Sequence, residues 1–304
     1  MGCRTSASVL VAEELGESGW YELEGPYKAK SLFRRSKSES ERLDVAGAPC
    51  DELIQEREDK HQVFVLVPGI LGAGKEWEPV IERLARPGRS LFFFRWVPLD
   101  NLDTLSRGLG AGLRSLASCL DGDEDALIVL AHSAGGIIAA QAASRVSTRA
   151  GAPTVRVFTA ASALAGIQVR KEAGEDDAAS ESEEEEGEGE EEAQASSPEA
   201  VVKAENRFFL MAMGGAFRDY APVGKGVEVF HLRTQAPADP VMKPRRGGKL
   251  PNDPRVGVPG AYQVSLPSEL GHDQSLLYAT ERLEDGGWVK WRSAPRVPIA
   301  AQAP

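Results

Sequence analysis

The stretch 127-LIVLAHSAGGIIAAQAA-143 decides the fold. Five apolar residues, Leu127 to Ala131, read as a strand covered on both faces, and the alanine-rich run after Gly136 reads as a helix. Ser133 sits between them. A serine at such a boundary can be a plain helix cap. The alternative is that Ala131-His132-Ser133-Ala134-Gly135 forms a nucleophile turn. Small side chains at Ala131, Ala134, Gly135 and Gly136 let strand and helix approach through a tight bend that lifts the hydroxyl above the sheet. The helix N-terminus below it favours developing negative charge. Ala131 stands where a G-x-S-x-G pattern has its first glycine, and it keeps the small-residue requirement.

Working outward, similar short apolar runs occur at 63-VFVLV-67, 91-LFFFRW-96, 155-VRVFTA-160, 227-VEVFHL-232 and 261-AYQVS-265. Helical patterns alternate with them. Leu105, Leu109, Leu113, Leu116 and Leu120 form one apolar stripe, and 75–85, 137–146 and 274–283 are further helix candidates. This order predicts an α/β fold with a mainly parallel sheet flanked by helices on both faces.

In such a sheet the reacting groups gather at the carboxyl ends of the strands. A serine hydroxyl needs a base. Of the 4 histidines, His61, His132 and His231 each read as a strand-edge, turn or buried residue. His272 lies in a loop after the last strand and is the candidate base, with Asp273 beside it as a helix N-cap. Asp239, directly after the strand 227–232 and held by Pro240, is the candidate acid that orients the base. Taken alone it also reads as an Asp-Pro turn. The order Ser133, Asp239, His272, each after a successive strand, is what joins the three. An oxyanion would be met by the backbone N–H groups of Ile70, in the glycine-rich loop 68-PGILGAG-74, and of Ala134. That loop lacks the spacing of a Walker phosphate loop.

The segments VLVPGILG, VLAHSAGG, ADPVM and LGHDQS together resemble the α/β-hydrolase family, its lipase, esterase and thioesterase members especially. The resemblance spans about residues 61–285. Pro68-Gly69 departs from the family's usual His-Gly in the first loop. The resemblance implies hydrolysis of a carboxylic ester or thioester through an acyl-serine, with no cofactor and no metal. It also implies a lid between the strands 155–160 and 227–232. The rivals are a catalytically silent relative that binds a ligand or partner, and an acyltransferase.

The remaining features bound the setting. Residues 172–192 carry 13 acidic and no basic side chains; without them the formal charge of −11 becomes +2. No basic groove interleaved with aromatics is present, which argues against a nucleic-acid partner. No apolar run approaches the roughly 20 residues of a membrane span. The 3 cysteines (Cys3, Cys50 and Cys119) suggest neither a disulfide framework nor a zinc site, so a reducing, cytoplasmic compartment is expected. Met1-Gly2-Cys3 opens a myristoylation pattern. Gly2 and Cys3 are therefore candidate lipidation sites, and the basic patch Lys28, Lys30, Arg34, Arg35 and Lys37 would add membrane-surface contact.

By this reading residues 1–60 form a polar extension, partly disordered, and 61–304 form the hydrolase-like domain. The acidic low-complexity insertion 171–204, expected to be disordered, interrupts it at the lid position. The segment 206–222 reads as a core helix or the roof of a pocket. Loop closure depends only weakly on length. Replacing 172–200 with a short Gly/Ser linker is therefore expected to shift urea-unfolding stability by less than about 1 kcal/mol.

Overall fold

The computed structural model describes residues 19–22, 45–54, 61–69, 77–96, 101–122, 125–165, 220–242 and 251–299. Seven strands make one sheet: β1 (Gly19–Glu22), β2 (Gln62–Val67), β3 (Arg89–Arg95), β4 (Ala126–His132), β5 (Val155–Ala160), β6 (Val227–Arg233) and β7 (Tyr262–Ser265). Their spatial order is β1-β3-β2-β4-β5-β6-β7. The ladders from β3 through β7 are all parallel, and β1 alone runs antiparallel, against β3. The helices are α1 (Cys50–Leu53), α2 (Glu78–Leu84), α3 (Leu102–Ser118), α4 (Ala134–Ala143) and α5 (Gln274–Glu284).

The period-two alternation of each strand divides the core into two layers. Val63, Val65 and Val67 of β2 face α3 and α4, packing with Leu109, Leu113, Ile137 and Ile138. Phe64 and Leu66 face the other way, toward Ile81 and Leu84 of α2 and Leu276 of α5. The sheet is thus covered on both faces, as its unbroken apolar runs require. The leucine stripe of α3 is buried throughout, and the Asn101 side chain caps that helix by accepting from the Asp103 N–H at 2.8 Å. Helix α4 is buried on nearly every side between the sheet and α3, and its alanines and glycines permit that close seat.

Two features differ from the sequence reading, the first in residues 1–60. Strand β1 comes from that segment and extends the sheet. Its Trp20 is buried edge-on against Phe94, with ring centroids 5.3 Å apart. Gly112 of α3 makes room for it, because a methyl group there would lie 2.2 Å from the indole. The second departure concerns the cysteines. Cys50 and Cys119 form a disulfide with Cα atoms 5.2 Å apart, contrary to the expectation of unpaired thiols. It ties α1 to the end of α3 across 69 residues of chain, a separation that gives no sequence signal. Disulfides persist in oxidising surroundings, so the reducing compartment expected from the cysteine count loses its support.

Among the described residues no helix is long and apolar enough to cross a membrane. Gly2, Cys3, the basic patch, the acidic insertion and most of 206–222 lie outside the described residues. Without reductant, thiol titration of the denatured chain is expected to detect Cys3 alone. Cys50→Ser should lower the urea-unfolding free energy by about 2–4 kcal/mol, the usual worth of a disulfide closing a long loop.

Candidate active site

Ser133 is held in a backbone conformation that side chains rarely adopt. Its φ is 52° and its ψ is −124°, at the junction of β4 and α4. The Ser133 N–H donates to the Ala160 carbonyl at 2.9 Å, which pins the turn to the end of β5. The glycines around it are required by space. A methyl group on Gly135 would lie 2.1 Å from the Pro68 carbonyl oxygen, and one on Gly136 would lie 1.8 Å from the Ser162 hydroxyl. Gly69, beyond β2, abuts the serine itself: a methyl group there would come within 3.0 Å of Ser133 Cβ. Ala131 is fully buried beneath the turn. Ser133 takes the N-cap position of α4, but its side chain makes no capping bond. The plain cap reading therefore does not account for it.

Asp239 follows β6 and is fully buried. Its Oδ2 accepts from His272 Nδ1 at 2.9 Å and from the Thr234 hydroxyl, and its Oδ1 accepts from the Val241 N–H at 2.9 Å. Burial by itself would raise its pKa. The bonds from His272, Thr234 and Val241 outweigh burial and hold the carboxyl below its usual range. An ionised carboxylate only accepts, so Nδ1 of His272 carries the proton and Nε2 is left as the basic nitrogen. The structure thus joins the expected acid to the expected base. Ser133 follows β4, two strands from β6; its neighbour His132 lies against His272, and no hydrogen bond joins the Ser133 hydroxyl to His272 among the described residues. Such bonds often tighten only when substrate is bound.

His132 does more than fill a turn. It is buried, its ring centroid lies 4.8 Å from that of His272, and its Nε2 is 3.1 Å from the His272 carbonyl oxygen. A carbonyl only accepts, so Nε2 of His132 carries a proton. The residue before the serine therefore grips the backbone of the base. Burial first, and then the neighbouring His272 charge, lower the His132 pKa to about 4. It is neutral at pH 7. Sequence reasoning missed this role; the adjacency of His132 to Ser133 was the available signal.

His231, by contrast, is satisfied inside the sheet. It bonds Thr159 at 2.9 Å and accepts from the Val258 N–H at 3.2 Å, and burial pushes its pKa down to about 3. Asp273 stands at the N-cap of α5 but makes no capping bond, contrary to expectation. Its carboxylate instead lies 4.0 Å from His132 Nε2. His132, His272 and Asp273 place ligand atoms within 4.8 Å of one another, a spacing a metal ion could use. Yet His132 Nε2 is committed to a carbonyl and His272 Nδ1 to Asp239, which leaves neither nitrogen free for a metal. Of the two expected oxyanion donors, Ala134 opens α4, where first-turn N–H groups lack helical partners, and Ile70 lies outside the described residues.

The chain has an α/β fold, a mainly parallel sheet covered by helices on both faces. No family model and no curated protein matches the sequence. Among solved structures, the chain is similar to the thioesterase domain SrfTE, which cyclizes the lipopeptide antibiotic surfactin. That likeness has 16% identity, coverage of 79% of this chain and 94% of that one, and a TM-score of 0.41. The mature Bacillus licheniformis lipase BlEst2 is similar at 15% identity, with 80% and 95% covered and a TM-score of 0.41. The type II thioesterase BorB from the borrelidin biosynthetic cluster is similar at 14% identity, with 79% and 95% covered and a TM-score of 0.42.

Two outcomes are expected. Gly135→Ala should disrupt the turn and reduce both folding stability and reactivity of Ser133 toward a fluorophosphonate, because the clash is with backbone. The second concerns pH. His132 and His231 resist protonation when folded (pKa about 4 and about 3) and accept it near 6.5 when unfolded. Their contribution is complete above pH 6.5 and is lost as pH falls toward 4 for His132 and toward 3 for His231. Urea unfolding across that window should show the decline, and His132→Phe should make it shallower.

Proposed function

We propose that the chain is a serine hydrolase that cleaves carboxylic esters, lipid esters and thioesters among them, through an acyl-serine intermediate. The observation that carries this reading is the bond from His272 Nδ1 to the buried Asp239, on the strand ends beside the strained turn of Ser133. In the reaction the Ser133 hydroxyl attacks the ester carbonyl and His272 Nε2 takes its proton. Asp239 stabilises the imidazolium that results, without itself taking the proton. The oxyanion is met by the N–H of Ala134 at the start of α4 and by that of Ile70. His272 then returns the proton to the leaving alcohol or thiol, and water repeats the sequence on the acyl-serine. The proposal includes peripheral membrane contact through acylated Gly2 and Cys3, which mass spectrometry of the chain from a eukaryotic host would detect.

A fluorophosphonate probe and a panel of aryl esters of graded chain length test the reading. Labelling is expected at Ser133 and should vanish in a folded Ser133→Ala variant. Asp239→Asn should lower ester turnover about 10⁴-fold, because the imidazole would lose its required tautomer. A folded wild-type chain that neither labels nor turns over esters would support the silent binding protein instead.

A further inference from the structure

We propose that the outer edge of β7 carries an anion site, separate from the serine, for a phosphate monoester. A cleft of about 360 Å³ opens there, lined by Arg233, Gln263, Ser265, Lys290, Trp291 and Arg296 among others. Its volume falls in the lower part of the roughly 300–1,000 Å³ range of small-molecule sites. Three cations line it and no carboxylate does; none of Ser133, Asp239 and His272 takes part.

The register builds the floor. Arg233 at the end of β6 lies opposite Ser265 at the end of β7. The two-residue period puts Gln263 on the same face as Ser265. The N–H of Gln263 points out of the sheet, donating to the Pro295 carbonyl at 2.7 Å. By the same period the N–H of Ser265 also points to that open edge.

The donors are under-used. Gln263 is buried, 6% exposed, and its Nε2 has no hydrogen-bond partner. An orphaned buried amide of this kind calls for an acceptor. Arg233 commits Nε to the Asn252 carbonyl at 2.8 Å. Asp253, the carboxylate acting on Arg233, is already held by Arg255 at 3.0 Å and 2.7 Å. Arg296 stacks over the Tyr262 ring at 4.2 Å and bonds its hydroxyl through one nitrogen. Among the described residues no carboxylate pairs with Arg233, Lys290 or Arg296. Charge placed merely to guard a sheet edge would need only exposed side chains. Here a half-buried guanidinium and two further cations line one cleft with the Ser265 side chain, an arrangement suited to phosphoryl oxygens. Trp291, Pro254 and Pro295 offer apolar surface to the organic part of the ligand.

Isothermal titration of the full chain with phenyl phosphate, in a low-salt buffer free of phosphate, tests the site. Saturable binding of one ligand per chain is expected. Lys290→Glu and Ser265→Asp change exposed side chains, so both should fold. Each should weaken binding about tenfold, the scale of one charge-assisted hydrogen bond. Benzyl alcohol, which lacks the phosphoryl group, should bind far more weakly. The proposal is overturned by a wild type that shows no saturable binding, by unchanged affinity in both variants, or by benzyl alcohol binding as tightly as phenyl phosphate.

Discussion

The turn at Ser133 is the constraint on which the rest of the site depends. A non-glycine residue at a φ of 52° costs on the order of 1–3 kcal/mol and persists only where its surroundings fix it. Those surroundings are the fully buried β4, the bond from the Ser133 N–H to the end of β5, and a helix packed so closely that two of its first residues must be glycine. The Pro68 carbonyl that Gly135 makes room for also accepts from Trp96 Nε1 at 2.8 Å. Strands β2, β3, β4 and β5 therefore all bear on one serine. This is why the parallel sheet, and not the loops alone, positions the hydroxyl.

Charge around the serine is arranged by burial. Asp239 stays ionised although it is fully buried, because three donors surround its two oxygens. His132 and His231 stay neutral because neither has a partner strong enough to offset desolvation. One buried negative charge thus stands behind His272, and no positive charge competes with it on the strand side. A charged His132 would lie 4.8 Å from the His272 ring, and burial prevents that charge.

Much of the sheet was legible in the sequence, because strands buried on both faces leave unbroken apolar runs between amphipathic helices. The six parallel strands were found within about two residues of their ends. The pairing of Asp239 with His272 was legible from order along the chain, since successive strand ends in a parallel sheet are neighbours in space. What escaped depends on contacts between distant segments. β1 has four residues and one buried tryptophan, and it reads as strand only when Phe94 and the space above Gly112 are known. The Cys50–Cys119 bond joins segments 69 residues apart. Its pairing follows from the seating of α1 on α3, which no local pattern encodes. The reach of His132 to the His272 carbonyl crosses 140 residues, and local reading saw only a small turn.

The candidate base His272 depends on a short edge strand, β7. β7 has four residues and lies at the sheet's end, where an unpaired edge would fray or recruit another chain. Residues 295–297 cover it. Gln263 donates to Pro295 at 2.7 Å, Val297 donates to Ala261 at 2.8 Å, and Gly260 donates to Val297 at 2.9 Å. On the inner side β6 supplies the parallel ladder, and the Leu266 N–H continues it by donating to the Arg233 carbonyl at 2.9 Å. The loop to His272 thus leaves a strand gripped from both sides, and His132 holds its far end by the His272 carbonyl. Asp239 leaves the adjacent strand, so the same ladder sets the spacing between acid and base. Residues 295–297 thus hold in register the strand from which the loop to His272 leaves.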